Sequence, residues 1–423
     1  MQSNLSTKPR IQIVDALRGF ALFGIILAHA NNQYFAGFPP PGHEALGIKN
    51  AVDPILQMIT DVLIFGKFFT IFSFLFGLSF GIQLLNAKEK KKPLLGRFAW
   101  RLVILFLIAF VHHIHYRGDI LVIYAVLGLF LLLYFKANNK WLLIWAFFFM
   151  INGPSAIFNT VNYISTLSKP VIEKTAQSPE GVDFKKMGKD ATVFYNKVKE
   201  GDYGWIIKNN ITKEFQNKLA FQLFSGRLFV TMGLFILGFY IARRRIFEDV
   251  AVYKKGFKKW MWISLALSVS AVASYGLLHL QFGSAPKTLP QLIGSMIVNT
   301  YDPALSMVYV ACFVLLFQNA KWQKRLSGLA PMGRMGLTTY LTQTVFGLLF
   351  FYGYGLNQLD EVGNSVIFPL AIAFFILQIY IGKWWMKRFY YGPVEWLWRA
   401  LTWFTLPPFR KKKKQEPVLA AAL

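Results

Sequence analysis

Long apolar runs separated by short basic segments recur along the chain, over 11–30, 54–85, 98–115, 119–135, 141–163, 226–242, 259–281, 302–318, 334–354 and 364–386. A helix needs about 20 predominantly apolar residues to cross the hydrocarbon core of a bilayer. The pattern therefore predicts an all-α, polytopic integral membrane protein with about ten transmembrane helices. The second run is too long for one straight crossing, and Asp61 and Gly66-Lys67 divide it, so its first half is expected to lie obliquely or to re-enter. The runs group into helices one to five over residues 1–163, a polar stretch over 164–225, helices six to ten over 226–405 and a basic tail over 406–423.

The basic residues between the runs set the orientation. Lys8, Arg10, Lys88 to Arg97, Lys136, Lys140, the Arg243 to Lys259 group and the Lys321 to Arg334 group all fall on one side if the helices simply alternate. The opposite short loops hold only Lys49, Arg117 and Lys287. Short cytoplasmic loops carry the excess of Lys and Arg, so both termini are expected in the cytoplasm. The Lys-rich stretch 164–225 then falls outside, which its length permits. Its amphipathic character suits a partly helical lid or dimer contact, and a loosely ordered linker fits equally. Lys8, Arg10 and Ala28-His29-Ala30 mimic a secretory signal, but the charges embedded in the first run favour a retained helix.

Composition supports a membrane setting. Of 423 residues 55% are hydrophobic and only 16% charged, where a soluble domain carries about 25%. The net charge of +26 sits between apolar runs and in the tail Arg410 to Lys414, so it marks topology and anionic lipid heads and not nucleic acid. One cysteine, Cys312, excludes internal disulfides. No Walker loop and no GxGxxG after a strand is present, which argues against a nucleotide motor.

Within the first run, IQIVDALRGFALFGIILAHA, stand Asp15, Arg18 and His29. Ionisable groups inside a membrane helix are costly and default to function. Arg18 and His29 return to nearly one face and lie about 16 Å apart along the axis, with Asp15 one turn before Arg18. A second cluster, His112-His113-Ile114-His115-Tyr116-Arg117-Gly118-Asp119, closes the turn between runs three and four. A carboxylate beside an imidazole raises its basicity, as a general base requires. An interfacial cap fits the same residues, and a zinc site is a further alternative without a Cys or HExxH pattern to support it. Arg97 and Arg101, one turn apart at the cytoplasmic entrance, suit the phosphates of an anionic cofactor; plain positive-inside anchoring explains them too. Asp61, Lys67, Arg227 and the Thr339/Gln343 pair are further polar groups at membrane depth, of the kind that often bond helix to helix. Phe76-Gly77 with Gly81, and Gly233 with Gly238, are small-residue packing faces.

VDALRGFALFGIILAH, FTIFSFLFGLSFG, HHIHYRGDILVIYAVLGL, MGRMGLTTYLTQTVF and YYGPVEWLWRALTW, in that order across nearly the whole chain, resemble the YeiB-like bacterial membrane proteins. Their carboxy-terminal domain of unknown function corresponds to roughly 226–405. That family is grouped with the transmembrane acyltransferases, which include sugar O-acetyltransferases and the lysosomal heparan glucosaminide acetyltransferase. The resemblance implies a bacterial plasma-membrane protein with an acyl-CoA donor, such as acetyl-CoA, bound from the cytoplasm. The acceptor it implies is a glycan or small molecule acylated on a hydroxyl or amine at the far side. Arg18 and His29 look similar to the Arg and His of the O-acyltransferases' first helix. The heparan-type histidine would correspond to His43, and a homodimer is implied by the same relatives. On this reading Asp15, Arg18, Arg97 and Arg101 hold the donor, no metal is required, and His29, or His112/His113 with Asp119, acts as base. Asp61 orients whichever histidine acts. A transporter or exporter of a small amphiphile is the alternative.

Overall fold

A computed structural model describes residues 11–40, 46–89, 95–167, 184–281 and 289–411. Its helices are α1 (Gln12–Asn31), α2 (Asp53–Ile59), α3 (Lys67–Glu89), α4 (Leu95–His115), α5 (Leu121–Leu131), α6 (Asn139–Met150) and α7 (Gly153–Leu167). There follow α8 (Phe184–Glu200), α9 (Tyr203–Asn209), α10 (Phe215–Phe224), α11 (Arg227–Arg243), α12 (Lys254–Gln281) and α13 (Leu289–Val298). The last are α14 (Tyr301–Phe317), α15 (Ala320–Leu326), α16 (Ala330–Arg334), α17 (Gly336–Phe351), α18 (Asn364–Arg388) and α19 (Pro393–Trp403). Among the described residues the regular structure is helical, apart from an isolated β-bridge between Phe389 and Arg410. Tail residues 412–423, with the rest of the basic run, and His43 lie outside the described residues.

Every apolar run becomes helix, but among the described residues fewer than ten helices are both long and apolar enough to cross a bilayer. Five qualify outright: 12–31, 53–87, 95–115, 296–317 and 364–388. Two bent pairs, 139–161 and 203–243, raise the number to seven. The runs at 119–135 and 334–354 yield shorter apolar helices, 121–136 and 336–351. The second run breaks where its polar residues predict. A π-helical turn over Thr60–Ile64 follows α2, and Gly66 takes a left-handed φ of 85° before α3 starts. Lys67 then fills the break, with its Nζ 2.9 Å from the carbonyl oxygens of Asp61 and Phe65 and 2.9 Å from Asp302 Oδ1.

Helix α1 is the centre of the molecule, packed by α3, α16, α17 and α18. Its apolar side chains Leu17, Leu22 and Ile26 are fully buried. Gln343, from the polar stripe of α17, reaches both the Leu22 carbonyl (3.4 Å) and Gln378 Oε1 of α18 (3.1 Å), so it acts as the interhelical bond its position suggests. Helix α11 lies directly on α3. A methyl group built on Gly77 would stand 2.0 Å from the Phe235 carbonyl oxygen, and one on Gly238 would stand 2.2 Å from that of Phe74. Glycine at both positions lets the two backbones touch. We expect Gly77→Ala to cost about 1–3 kcal/mol, as overpacking does in tight cores. A melting temperature in detergent equal to that of the parent protein would contradict this contact.

Candidate functional site

A cavity of about 580 Å³ opens beside the His29 end of α1. That volume is typical of a small-ligand site. Its floor is aromatic and aliphatic, with Ile25, Phe65, Phe68, Phe69 and Tyr124 among its residues. Helices α8 and α10 form one wall, contributing Asp190, Lys218 and Gln222. The 164–225 stretch, in its described part, is thus a helical wall over the chamber; residues 168–183 lie outside the described residues. Arg227 of α11 and Tyr340 of α17 complete the lining. The chamber therefore draws on 164–225 and 226–405 as well as on 1–163.

His29 stands at the last turn of α1 and faces this space. Tyr34, Phe35, Tyr116 and Tyr340 surround its ring at centroid distances of 5.8, 5.5, 5.6 and 6.0 Å. Its Nδ1 lies 3.3 Å from the Tyr116 hydroxyl, and its Nε2 has no hydrogen-bond partner among the described residues. The imidazole is thus oriented on one nitrogen and available on the other, as a general base must be.

The second histidine cluster divides into three separate environments. His112 Nδ1 donates to Asp119 Oδ1 at 2.8 Å, while its Nε2 is buried with no partner among the described residues. Asp119 also accepts from the Val122 N–H at 3.0 Å, which caps α5. His113 is fully engaged: Nε2 donates to the Asn210 carbonyl at 3.0 Å and Nδ1 accepts from Lys218 Nζ at 2.7 Å. His115 meets the Tyr203 hydroxyl at 2.7 Å. His112 with Asp119 keeps the geometry of an oriented base, although only Asp119 of the two lines the chamber. His113, with both nitrogens used, ties α4 to the wall helices and has no lone pair left for chemistry. Among the described residues no three His, Cys, Asp or Glu side chains are grouped to hold a metal.

The arginines expected to hold a donor have protein partners instead. Arg18 donates to Asp15 Oδ1 (2.9 Å), to the Gly333 carbonyl (2.9 Å) and to Ser79 Oγ (2.7 Å). It thereby joins α1, α3 and α16. A methyl group on Gly333 would stand 1.8 Å from the Asp15 carbonyl oxygen, so the MGRMG glycine is what lets α16 approach. The Arg101 guanidinium lies 4.0 Å over the Trp398 ring, and that indole N–H donates to the Arg101 carbonyl at 2.8 Å. Arg97 bonds the Thr402 carbonyl at 3.1 Å and stacks on Trp403. Both hold α19 against α4. Asp61 departs furthest from expectation: it is exposed, accepts from Gln57 Nε2 at 3.1 Å, and is not part of the chamber lining, so it orients no histidine.

Three contributors are absent from the sequence-based set of site residues. Lys218 is a buried cation on an amphipathic helix, and only the fold brings it to His113 and to within 4.0 Å of Asp119. Tyr340 stands in a Thr-rich stretch that looked like helix glue. Glu395 could have been found, as a lone carboxylate in the apolar PVEWLW helix. It accepts from the Leu337 and Thr338 N–H groups at 2.7 and 3.0 Å, capping α17.

Fold and site together define an all-helical membrane protein whose central helix presents a histidine to an apolar chamber. Residues 241–405 match a family model described as a protein of unknown function, DUF418. The chain is similar to the uncharacterized protein YxaH of Bacillus subtilis (strain 168), 27% identical over 96% of this chain and 98% of the relative. It is likewise similar to an uncharacterized 39.9 kDa protein in the amylase 3′ region of Bacillus acidopullulyticus, 25% identical over 96% of this chain and 98% of the relative. The uncharacterized protein YeiB of Escherichia coli (strain K12) is 24% identical over 92% of this chain and 95% of its own. The chain is similar to these proteins over nearly its whole length, as its five motifs suggest. No solved structure matches it.

Proposed function

We propose that the protein is a membrane acyltransferase that moves an acyl group from acyl-CoA, acetyl-CoA being the simplest case, to an acceptor held in the chamber. The acceptor class is a hydroxyl or amine of a glycan or other envelope component. The placement of His29 carries the reading: a membrane-depth imidazole, positioned by Tyr116, whose free nitrogen has access to a ligand-sized space. In the proposed step the acceptor oxygen attacks the thioester carbonyl carbon while its proton passes to His29 Nε2. The carbon–sulfur bond breaks, and the departing thiolate takes that proton from the imidazolium. No covalent enzyme intermediate is needed. Arg18, Arg97 and Arg101 belong to the architecture in this reading, and the donor's phosphates are not assigned to them.

The positive-inside pattern supports a multi-pass arrangement in the bacterial plasma membrane with both termini cytoplasmic. The test is acetyl-CoA turnover by protein reconstituted in vesicles that contain a bacterial envelope extract, followed by release of the CoA thiol. Release above that of protein-free vesicles is expected. Background release, together with flux of a labelled amphiphile in the absence of any acyl donor, would replace this reading by the exporter that the chamber's apolar floor also suits.

A further inference from the structure

The charges that line the chamber are matched in pairs, with one exception. Arg117 donates to the Phe35 carbonyl at 2.6 Å and lies 3.4 Å from Glu214. Lys218 lies 4.0 Å from Asp119, which also accepts from His112 at 2.8 Å, and Asp190 is 3.9 Å from Lys213. Arg227 has no such partner among the described residues. Its guanidinium meets only ring faces, those of Phe69 at 4.6 Å, Phe65 at 5.5 Å and Phe221 at 5.7 Å. Asp302, whose charge acts on Arg227, is already bonded to Lys67 at 2.9 Å.

A guanidinium carries five N–H donors in a fork that suits carboxylate and phosphate. Aromatic faces attract its charge, but they satisfy none of those donors in plane. A charged group left so at membrane depth is expensive, and such groups mark substrate pathways. Arg227 is partly exposed, and the space it borders is the chamber itself. Ile25, Ile64, Phe68 and Phe72 give the same chamber an apolar surface. On the same wall the Gln222 carboxamide oxygen is buried and without a partner among the described residues, and so can accept from a ligand hydroxyl.

We propose that the chamber binds a single-tailed amphiphile with a compact anionic head, a carboxylate or phosphate monoester, whose head is held by Arg227 and whose tail lies on the phenylalanine floor. The inference rests on the chamber being the substrate site, and narrows that substrate to an anionic amphiphile. It does not depend on the chemistry that His29 performs.

The experiment is binding without any acyl donor. Purified protein in a neutral detergent is titrated with dodecyl phosphate or laurate below their critical micelle concentrations, with 1-dodecanol and inorganic phosphate in parallel, and the melting temperature is followed. Saturable stabilisation by the anionic amphiphiles is expected, with 1-dodecanol and inorganic phosphate each at least about ten-fold weaker. Arg227→Gln should weaken binding about ten- to a hundred-fold, the scale of a lost charge-assisted hydrogen bond. Arg227→Lys should retain part of it. Because the titration contains no acyl donor, its outcome separates failure of this proposal from failure of the acyl-transfer reading. Equal binding of dodecanol and dodecyl phosphate would overturn the anionic head, and equal binding of inorganic phosphate would overturn the tail. Undiminished binding by Arg227→Gln would overturn the residue; if that variant does not fold, the headgroup comparison on the parent protein decides.

Discussion

His29→Ala is expected to lower acetyl-CoA turnover by about 10²–10⁴, the usual contribution of a general base, with little change in melting temperature. The small structural cost follows from the site. The imidazole has a single hydrogen-bond contact, 3.3 Å to Tyr116, and the space its removal vacates merges with an existing cavity and closes off no new void. His29→Asn keeps a polar contact to the tyrosine and removes the base, so it should be equally slow and still better folded. His113→Ala supplies the contrast. Its two nitrogens bond Asn210 and Lys218, so truncation strips a buried ammonium of its acceptor and should lower the melting temperature first. Undiminished turnover by His29→Ala would exclude His29 as base and leave His112, oriented by Asp119, as the histidine to replace next.

Arg18→Gln is expected to destabilise the protein by about 3–5 kcal/mol, the range found when one member of a buried ion pair is removed. The substitution takes the guanidinium from Asp15, whose side chain is 8% exposed, and breaks the bonds to Ser79 and to the Gly333 carbonyl. Helices α1, α3 and α16 would lose their common junction. The double change Asp15→Asn with Arg18→Gln should recover part of the loss, because the two charges are then removed together. Melting temperature and thiol release separate two roles for Arg18. A lowered melting temperature with turnover that scales with the folded fraction fits the junction. An unchanged melting temperature with lost response to CoA would make Arg18 a donor ligand after all.

The hydrophobic pattern shows where helices form, because burial in hydrocarbon and satisfaction of backbone groups leave few alternatives to a helix in such runs. It also shows the break at Gly66, since a charge and a glycine interrupt the apolar run there. Among the described residues five helices, or seven with the bent pairs, have the length and apolarity that crossing requires, against ten apolar runs in the sequence. Length along the sequence does not reveal the bend of 56° between α6 and α7 or of 70° between the wall helices and α11. His29 stands out in the sequence because a titratable group in an apolar helix has few bland explanations, and the structure places it on the chamber. Arg97, Arg101 and Asp61 misled for the opposite reason. Charges near a helix end can be met by a distant indole or a neighbouring amide, and Trp398, Trp403 and Gln57 meet them here. The Lys218 contact and the unmatched state of Arg227 depend on which helices neighbour one another, which residue order alone does not state.

The contacts of α19 have a consequence for the order in which the protein matures. Arg97 and Arg101, near the start of α4, receive their tryptophans only from residues about 300 positions later, and the amino end of α17 receives its carboxylate from Glu395. During synthesis the early helices must insert with these arginines unmet and the Tyr340 helix uncapped. The chamber wall that Tyr340 provides becomes fixed when α19 docks. A nascent chain arrested before Pro393 would therefore hold His29 in a membrane helix yet lack a finished pocket around it, so a segment made long after α1 completes the site that α1 begins.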